Sequence, residues 1–447
     1  MHIRALQPVN QYITLQRISA IALILCCFSA TAQINCENDT SFHIPIVDLQ
    51  TDYFGVHQGG LYPDGLNTMP AAHADSGIAI AESLLPINYD GQEDTSYGKF
   101  VFLGLGNEAA GKIFNKFITQ HDDLGLGDSC MRIVNACMED YTLHDMYGAD
   151  ASDAYWNDVN DYLQSQNLKK KQVRAVWLMT TNYDDTLITE DAYIDSVKNT
   201  YIEVIRKMKK QLPNLSLLYI SGLPYGGYAD TMFDGHEFFE EPIPYLNDFA
   251  IKAVIDAQIN GDTSLIYSGE DADAPWIAWG PNVWADGRNL RAYDNLRWLC
   301  PGDYASGDNG IMLSGTGQTK VADRLYTFLT SEPTTLPWIY GLPYDCFTEP
   351  DFVEPEDSVI VPEDEILWIT QNPVKGVIKF VVNVETNDKA QIYVFDMIGN
   401  QIVEGVFNKI EPGRVLSVNV TQNARGLYIL SVFVENKVYN KVFYLDN

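Results

Sequence analysis

Residues 98–108 constrain the fold of this 447-residue chain more than any other stretch. They read Gly-Lys-Phe-Val-Phe-Leu-Gly-Leu-Gly-Asn-Glu, a continuous apolar run that ends in a glycine turn. Such a run is typical of a strand buried on both faces, as in a parallel sheet. The turn falls at Gly106, and a helix is predicted to run on through Lys112, Phe114 and Phe117. In α/β proteins, ligands usually bind in the crevice beyond the carboxyl end of such a strand.

The N-terminal residues predict export. Arg4 and Arg17 precede an apolar run over residues 18–28, and Ala-Thr-Ala at residues 30–32 supplies the small residues that a signal peptidase reads. Residues 1–32 are therefore predicted to be a cleaved signal peptide. A membrane anchor is the alternative, but the run is too short to span a bilayer comfortably and no later stretch is long enough.

The charge of the exported chain excludes nucleic acid as a partner. Removal of the signal leaves 27 basic and 60 acidic residues, a net charge of −33. Such a chain repels phosphate backbones and anionic lipid headgroups. The acidic cluster at residues 270–273 lacks the regular spacing of a calcium loop, so no metal or other cofactor is predicted.

Five cysteines remain after cleavage of the signal. Export permits disulfides, and the odd count leaves at least one thiol free. There is no Cys-x-x-Cys pair, and neither a metal site nor a disulfide-stapled fold is expected in a domain of this size. The five are Cys36, Cys130, Cys137, Cys300 and Cys346.

Strands and helices alternate over residues 33–346, which predicts a parallel sheet with helices on both faces. The clearest helix is residues 192–212, where apolar residues recur at helical spacing and Pro213 follows. Residues 347–364 contain seven acidic residues, no basic residue and three prolines. That composition predicts an extended, charged linker.

From residue 365 to residue 447 the pattern changes to short alternating strands, which predicts a small all-β, immunoglobulin-like sandwich. Four motifs follow one another in it: Asn-Pro-Val at 372–374, Val-Phe-Asp-Met-Ile-Gly at 394–399, Ala-Arg-Gly-Leu-Tyr at 424–428 and Lys-Val at 441–442. With these motifs the tail resembles the type A C-terminal sorting domain of proteins exported by the type IX secretion system. The resemblance implies a Gram-negative bacterium, Sec export, recognition by the type IX machinery, and release or attachment at the cell surface. An ordinary adhesion module is the alternative.

Six segments of the main domain carry a second resemblance. They are residues 59–63 (Gly-Gly-Leu-Tyr-Pro), 98–107, 225–229 (Tyr-Gly-Gly-Tyr-Ala), 274–281 (Ala-Pro-Trp-Ile-Ala-Trp-Gly-Pro), 284–287 (Trp-Ala-Asp-Gly) and 317–322 (Gly-Gln-Thr-Lys-Val-Ala). With these segments in this order, the domain resembles secreted SGNH/GDSL-type hydrolase-like proteins. The resemblance implies a flavodoxin-like SGNH fold, a three-layer α/β parallel sheet, with a site built from serine, aspartate and histidine.

The chain departs from that triad at each position. In such hydrolases a serine at the strand–helix turn attacks an ester, and a histidine oriented by an aspartate takes its proton. Here the serine position falls on Gly106, the acid position on Asn309 and the base position on Met312. Glycine has no nucleophilic atom, and methionine accepts no proton at neutral pH. No histidine follows His236 in the sequence, so we expect the triad to be lost.

Other side chains could supply displaced catalytic groups. His236 lies in a polar loop, and Ser129 and Ser221 lie at strand ends. Each also has a structural interpretation, as a surface histidine or as a cap or turn serine. His73 and His144 are interpreted as surface residues in the same way.

A scaffold without the triad could still bind a ligand. Asn107 opens the helix after the turn, where backbone N–H groups favour an acceptor. The resemblance places Asn182 near the position of an oxyanion asparagine. Four aromatic residues are typical of a sugar-stacking floor, although core packing explains them equally well. They are Tyr225, Trp276, Trp279 and Trp284.

We therefore expect an exported SGNH-like protein that has lost its triad and acts as a non-catalytic surface protein with a carbohydrate ligand. One alternative is an active esterase or carbohydrate deacetylase with displaced catalytic groups. Another is a structural or adhesion component of the cell surface. In each case, residues 365–447 are expected to engage the type IX machinery.

Overall fold

The computed structural model describes two parts of the chain. They are residues 36–346 without 54, 124–129, 140, 148–152, 183–188, 230–239, 306–309, 343 and 345, and residues 366–446 without 385–388, 408–409, 411, 413–414, 421–422 and 436. Within these residues each part has its own hydrophobic core. The predicted signal 1–32 and the predicted linker 347–364 lie outside the described residues.

The described residues of the first part alternate between strands and helices. The strands are β1 (Asp52–Tyr53), β2 (His57–Gln58), β3 (Phe100–Gly106), β4 (Met131–Asn135), β5 (Val173–Met179), β6 (Leu217–Ile220) and β7 (Trp276–Trp279). The helices are α1 (Ala71–Ser83), α2 (Glu108–Asp123), α3 (Leu143–Tyr147), α4 (Ala154–Ser165), α5 (Glu190–Gln211), α6 (Ile243–Ile259), α7 (Gly315–Ser331) and α8 (Leu336–Ile339). Helix α5 begins two residues before its predicted start, because the Thr189 side chain caps it by accepting a hydrogen bond from the Ala192 N–H.

Strands β3 to β7 form a parallel sheet in the order β4-β3-β5-β6-β7. This confirms the parallel sheet that the alternating pattern predicts. Every residue of β3 is buried, and Leu103 pairs with Val134 of β4 on one side and Val176 of β5 on the other. The chain passes from β3 to β4 and then crosses to β5, so its direction of travel across the sheet reverses between β3 and β5. Ligands of open α/β sheets bind beside the carboxyl ends of the strands at such a reversal.

The edge of the sheet at β7 is covered by the segment that precedes β3. The His73 ring Nε2 lies 2.8 Å from the Ile277 carbonyl oxygen, and the Trp276 indole N–H donates to the His73 carbonyl at 3.1 Å. This cover satisfies edge groups that would otherwise be free to pair with another chain. The interpretation of His73 as a surface residue is therefore wrong, because its ring packs on Trp276 and is buried. His144 is exposed.

Two disulfides tie the first part together. Cys36 is bonded to Cys300 and Cys130 to Cys346, across sequence separations of 264 and 216 residues, while Cys137 is free. The expectation that the domain would not be stapled is wrong. The bonded cysteines are so far apart in the sequence that their local spacing did not indicate the pairing. Such bonds stabilise the fold because closing a long loop restricts the unfolded chain.

The described residues of the second part are all β, as the sequence predicts. The strands are β8 (Leu367–Ile369), β9 (Val377–Val382), β10 (Ala390–Asp396), β11 (Gln401–Phe407), β12 (Val415–Asn419), β13 (Gly426–Val434) and β14 (Lys437–Leu445). One antiparallel sheet has the order β11-β10-β13-β14 and the other β12-β9-β8. Side chains of both sheets share one core, among them Phe380 of β9, Ile392 of β10 and Leu430 of β13.

Candidate functional site

The turn after β3 has no room for a side chain. Gly106 has φ = 149°, a conformation that L-residues rarely adopt. A β-carbon at this position would lie 2.2 Å from the carbonyl oxygen of Met179 and 2.8 Å from the β-carbon of Ala110. The close pairing of β3 and β5 at their carboxyl ends, where Gly106 faces Met179, produces this restriction.

Asn107 and Asn182 lie at the same edge of the sheet, because they follow the neighbouring strands β3 and β5. The Asn107 side-chain oxygen accepts a hydrogen bond from the Ala110 N–H at 3.2 Å and so caps α2. Its Nδ2 group is buried and has no hydrogen-bond partner among the described residues. The carbonyl oxygen of Asn182 accepts the Tyr193 hydroxyl at 2.6 Å. Asn247, whose side-chain oxygen accepts the Thr181 hydroxyl just after β5, also has a buried Nδ2 group without a described partner, so two unpaired buried donors lie near this edge.

The convergence of Gly106, Asn309 and Met312 stays a prediction, because Asn309 lies outside the described residues. The backbone hydrogen bonds of the other two lead to different neighbours. The Gly106 carbonyl accepts the Met138 N–H at 2.9 Å, and the Met312 carbonyl accepts the Ala305 N–H at 2.9 Å. His236 and Ser129 also lie outside the described residues.

The four aromatic residues proposed as a sugar floor are buried in the core. Their exposed fractions are 2% or less, so none presents an open ring face. The indole N–H or hydroxyl group of each ring donates a hydrogen bond. The acceptors are the backbone carbonyls of His73 for Trp276, Leu61 for Trp279 and Asn38 for Tyr225, and the Glu241 carboxyl group for Trp284. Of the two interpretations, the structure favours core packing: β7 carries Trp276 and Trp279, and Tyr225 contacts Trp284.

Two buried carboxyl groups, which the sequence did not reveal, lie just before and within the first turns of α6. Glu241 Oε1 accepts the Gly226 N–H at 2.9 Å and the Trp284 indole N–H at 2.8 Å, while Oε2 is buried without a described partner. Asp248 Oδ2 accepts the Asn282 side-chain amide at 2.7 Å, and its Oδ1 is likewise unpaired. The pair Asn247-Asp248 between apolar residues of α6 was the available signal for Asp248.

Burial controls the protonation of both carboxyl groups. It raises the pKa of Glu241 to about 7, although the hydrogen bonds from Gly226 and Trp284 oppose the rise. It also raises the pKa of Asp248 to about 7 against the hydrogen bond from Asn282 and the charge of Arg291, and the charge of Glu241 adds to the rise. Both groups therefore change charge near neutral pH.

A chain of polar side chains leads from Asp248 toward the surface. The Arg291 guanidinium donates hydrogen bonds to the side-chain oxygen and the backbone carbonyl of Asn282. Its Nε and Nη2 groups also donate to the two carboxylate oxygens of Asp294, each at 2.8 Å. Arg324 also contacts Asp294. Burial would raise the pKa of Asp294, but the hydrogen bonds and charges of the two arginines bring it to about 2. This network fixes the segment that follows β7.

The serine and histidine side chains that could take part in hydrolysis have the following contacts in the part of the chain that the structure describes. There, no hydrogen bond joins a serine hydroxyl to a histidine ring. Ser221 is buried and accepts the Trp177 indole N–H at 3.0 Å. One histidine does have a carboxylate partner, since His57 Nε2 lies 2.7 Å from Asp191 Oδ1 at the start of α5. No group of three or more metal-binding side chains occurs among the described residues.

Comparison with known proteins identifies the tail. Residues 372–445 match the family described as the secretion system C-terminal sorting domain. The tail is a type IX sorting domain. It marks the chain as a secreted or cell-surface protein that interacts with the type IX machinery, and such tails direct surface attachment in Bacteroidetes. None of the described helices has the length and apolarity that a bilayer crossing requires.

The α/β part has only weak relatives. A search of curated proteins by sequence found no match. Among solved structures, an Arabidopsis thaliana protein is 11% identical (48% of this chain, 67% of that chain, TM-score 0.27). A carbohydrate esterase whose active site is said to display divergent catalytic and non-catalytic binding functions is 8% identical (56% and 76%, TM-score 0.30). A gut microbial diltiazem-metabolizing enzyme is 11% identical (73% and 72%, TM-score 0.29). At these TM-scores the likenesses do not assign a fold family.

Proposed function

We propose that the chain is a surface protein of a type IX-secreting bacterium whose α/β domain binds a carbohydrate without hydrolysing it. The proposal divides the chain into a signal peptide (1–32), a flavodoxin-like, SGNH-like domain (33–346), an acidic linker (347–364) and a sorting domain (365–447). The sorting tail supports the location. The strand order, with its reversal between β3 and β5, supports the doubly wound fold.

The geometry at Gly106 carries the non-catalytic part of the proposal. In the SGNH-type hydrolases that the domain resembles, this turn holds the nucleophile, and a side chain here would collide with the backbone of Met179. The described residues also offer no serine–histidine hydrogen bond to replace it. The second candidate function, an active esterase with displaced groups, is favoured by the His57–Asp191 pair, in which a carboxylate could orient a base.

Hydrolysis by the full secreted protein separates the two candidates. The protein is incubated with 4-nitrophenyl acetate and with acetylated xylan, and is treated in parallel with a fluorophosphonate that labels activated serines. We expect acetate release equal to that of heat-denatured protein and no label. Turnover together with labelling would refute the non-catalytic proposal. Loss of that turnover in His57→Ala would then assign the base.

A further inference from the structure

A cleft of about 510 Å³ lies at the carboxyl end of β7, beside the covered sheet edge. Its volume falls within the range of about 300–1,000 Å³ for small-molecule sites. Five separate segments form its walls: Val47, residues 61–69, the end of β7 with residues 280–282, residues 291–294, and the last turns of α7 with Glu332. Because the network of Arg291 and Asp294 holds two of these segments together, the cleft is formed before any ligand arrives.

The walls combine apolar surface with hydrogen-bonding groups. Met69, Pro281 and Phe328 are partly exposed and supply apolar surface. Arg324 is 27% exposed, lines the cleft and contacts Asp294. Glu332 lies at the end of the same helix and supplies acceptors, and burial raises the pKa of its carboxyl group against a hydrogen bond from the Thr334 N–H.

The charges of the cleft select a neutral ligand. Arg291 directs its donors to Asp294, to Asn282 and to the carbonyl of Trp284, so it offers no free positive charge. Arg324 is balanced by Asp294. The lining holds two arginines and the two carboxyl groups of Asp294 and Glu332, so it offers neither an anion nor a cation an excess of opposite charge. A neutral ligand that both donates and accepts hydrogen bonds, and that has an apolar face, satisfies both sets of groups.

Tyr293 completes the site at its rim. Its ring is 56% exposed, and its loop is fixed because Asp48 accepts the backbone N–H groups of Ala292 and Tyr293 at 2.7 and 2.8 Å. A held, exposed aromatic ring offers a stacking face at low entropic cost. We infer that this cleft binds a neutral saccharide of one or two rings. The inference rests on the proposed binding function and adds the place of binding and the class of ligand.

Calorimetric titration of the full secreted protein tests this assignment. The probes are cellobiose, maltose, mannobiose and lactose, with galacturonate and glucosamine as the anionic and cationic counterparts. We expect at least one neutral disaccharide to bind and the charged sugars to bind at least about 10-fold more weakly. Tyr293→Ala removes the stacking face, and Thr327→Arg places a long side chain in the cleft. Each is expected to weaken binding at least about 10-fold.

Two matched controls guard against misfolding. Tyr162→Ala removes an exposed tyrosine on α4, which contributes no residue to the cleft. Thr119→Arg changes an exposed threonine of α2 whose hydroxyl bonds the carbonyl four residues earlier, as that of Thr327 does. Both controls should bind like the wild type. No binding by any neutral probe, preference for a charged probe, or unchanged binding in both cleft variants would overturn the inference.

The same samples are assayed for acetyl-ester hydrolysis, so the two claims can fail separately. If hydrolysis appears while the cleft variants still lose sugar binding, the non-catalytic function is refuted and the cleft assignment stands. If hydrolysis is absent and the cleft variants bind normally, the cleft assignment is refuted alone.

Discussion

The α-carbon of Gly106 lies so close to the carbonyl oxygen of Met179 that a β-carbon added there would be 2.2 Å from that oxygen. The two residues pair across β3 and β5, the central strands of the parallel sheet. The backbone itself therefore excludes a serine from the turn in this conformation. Replacing the missing side chain is not enough to create a nucleophile, because the strands would have to move apart.

Gly106→Ala is expected to lower the free energy of unfolding by about 3 kcal/mol or more, since backbone strain of about 1–3 kcal/mol adds to a collision. Gly261→Ala is the matched control: Gly261 also has positive φ, but no atom lies within 4 Å of an added β-carbon. Gly261→Ala should therefore lose only the stability that backbone strain costs, without the contribution of a collision. Urea unfolding measures both. Gly106→Ser should lose similar stability and gain no esterase activity, and wild-type stability in Gly106→Ser would contradict this view of the turn.

The main elements could be predicted from the sequence because their signals are local. The apolar run of β3 and the helical spacing of α5 each lie within one element. The alternating strands of the tail also carry their own motifs. Contacts between distant residues left no such signal: the partners Cys36 and Cys300 are 264 residues apart. The aromatic residues show the same limit, since composition could not distinguish a binding floor from a core, and Trp276 is buried by a segment some 200 residues earlier.

The candidate site was less predictable than the fold. The sequence placed Asn107 at the start of the helix after the turn, and only the resemblance placed Asn182 near the same site. It did not reveal Glu241 or Asp248, because acidic residues are common in this chain and only burial distinguishes these two. The cleft beside β7 depends on five segments, two of which Arg291 joins, and no single segment has a recognisable pattern.

Glu241→Gln should remove a pH dependence of stability. The pKa of this carboxyl rises from an ordinary 4.5 to about 7 on folding, so its folded state favours the proton. Its contribution to stability is full below pH 4.5 and is lost as the pH rises to about 7, a change of roughly 3 kcal/mol. Glutamine keeps the acceptor oxygen for Gly226 and Trp284 and carries no charge.

Unfolding in urea at about pH 4, pH 6 and pH 8 measures this effect. The wild type should lose stability relative to Glu241→Gln as the pH rises, and the curves should run parallel above about pH 8. Glu82→Gln changes an exposed glutamate of α1 and should track the wild type. Parallel curves for wild type and Glu241→Gln over the whole range would show that Glu241 is ionised in the folded protein.

Arg291→Met should destabilise the α/β part by about 3–5 kcal/mol, because it leaves Asp294 and Asn282 partly unpaired in a buried network. Arg288→Met is the control, since Arg288 is 62% exposed and contacts Asp39 at the surface. Its loss should cost less than about 1 kcal/mol. Chemical denaturation compares the two. Equal effects would show that the buried network does not organise this end of the sheet.

The two disulfides should stabilise the α/β part, whereas Cys137 should be inert. Cys130→Ser with Cys346→Ser is expected to cost about 2–5 kcal/mol, because the bond closes a loop of more than 200 residues.

Burial raises the pKa of the Cys137 thiol, so little thiolate is available. Mass spectrometry after iodoacetamide treatment should find Cys137 modified only in urea. Rapid modification of the native protein would contradict this description of the thiol.

Deletion of the sorting domain should keep the protein in the periplasm. A chain that ends at residue 346 retains both disulfides and the first core but lacks the strands that match the sorting family. In a bacterium with a type IX system, immunoblots of periplasm, cell surface and medium should find the full chain outside the outer membrane and the truncated chain inside. Phe380→Asp in the full chain places a charge in the core of the tail. We expect this variant protein to be retained in the periplasm as well. Because this variant keeps the whole α/β part, its retention would assign export to the folded tail. Export of both variants would mean that another segment of the chain carries the signal.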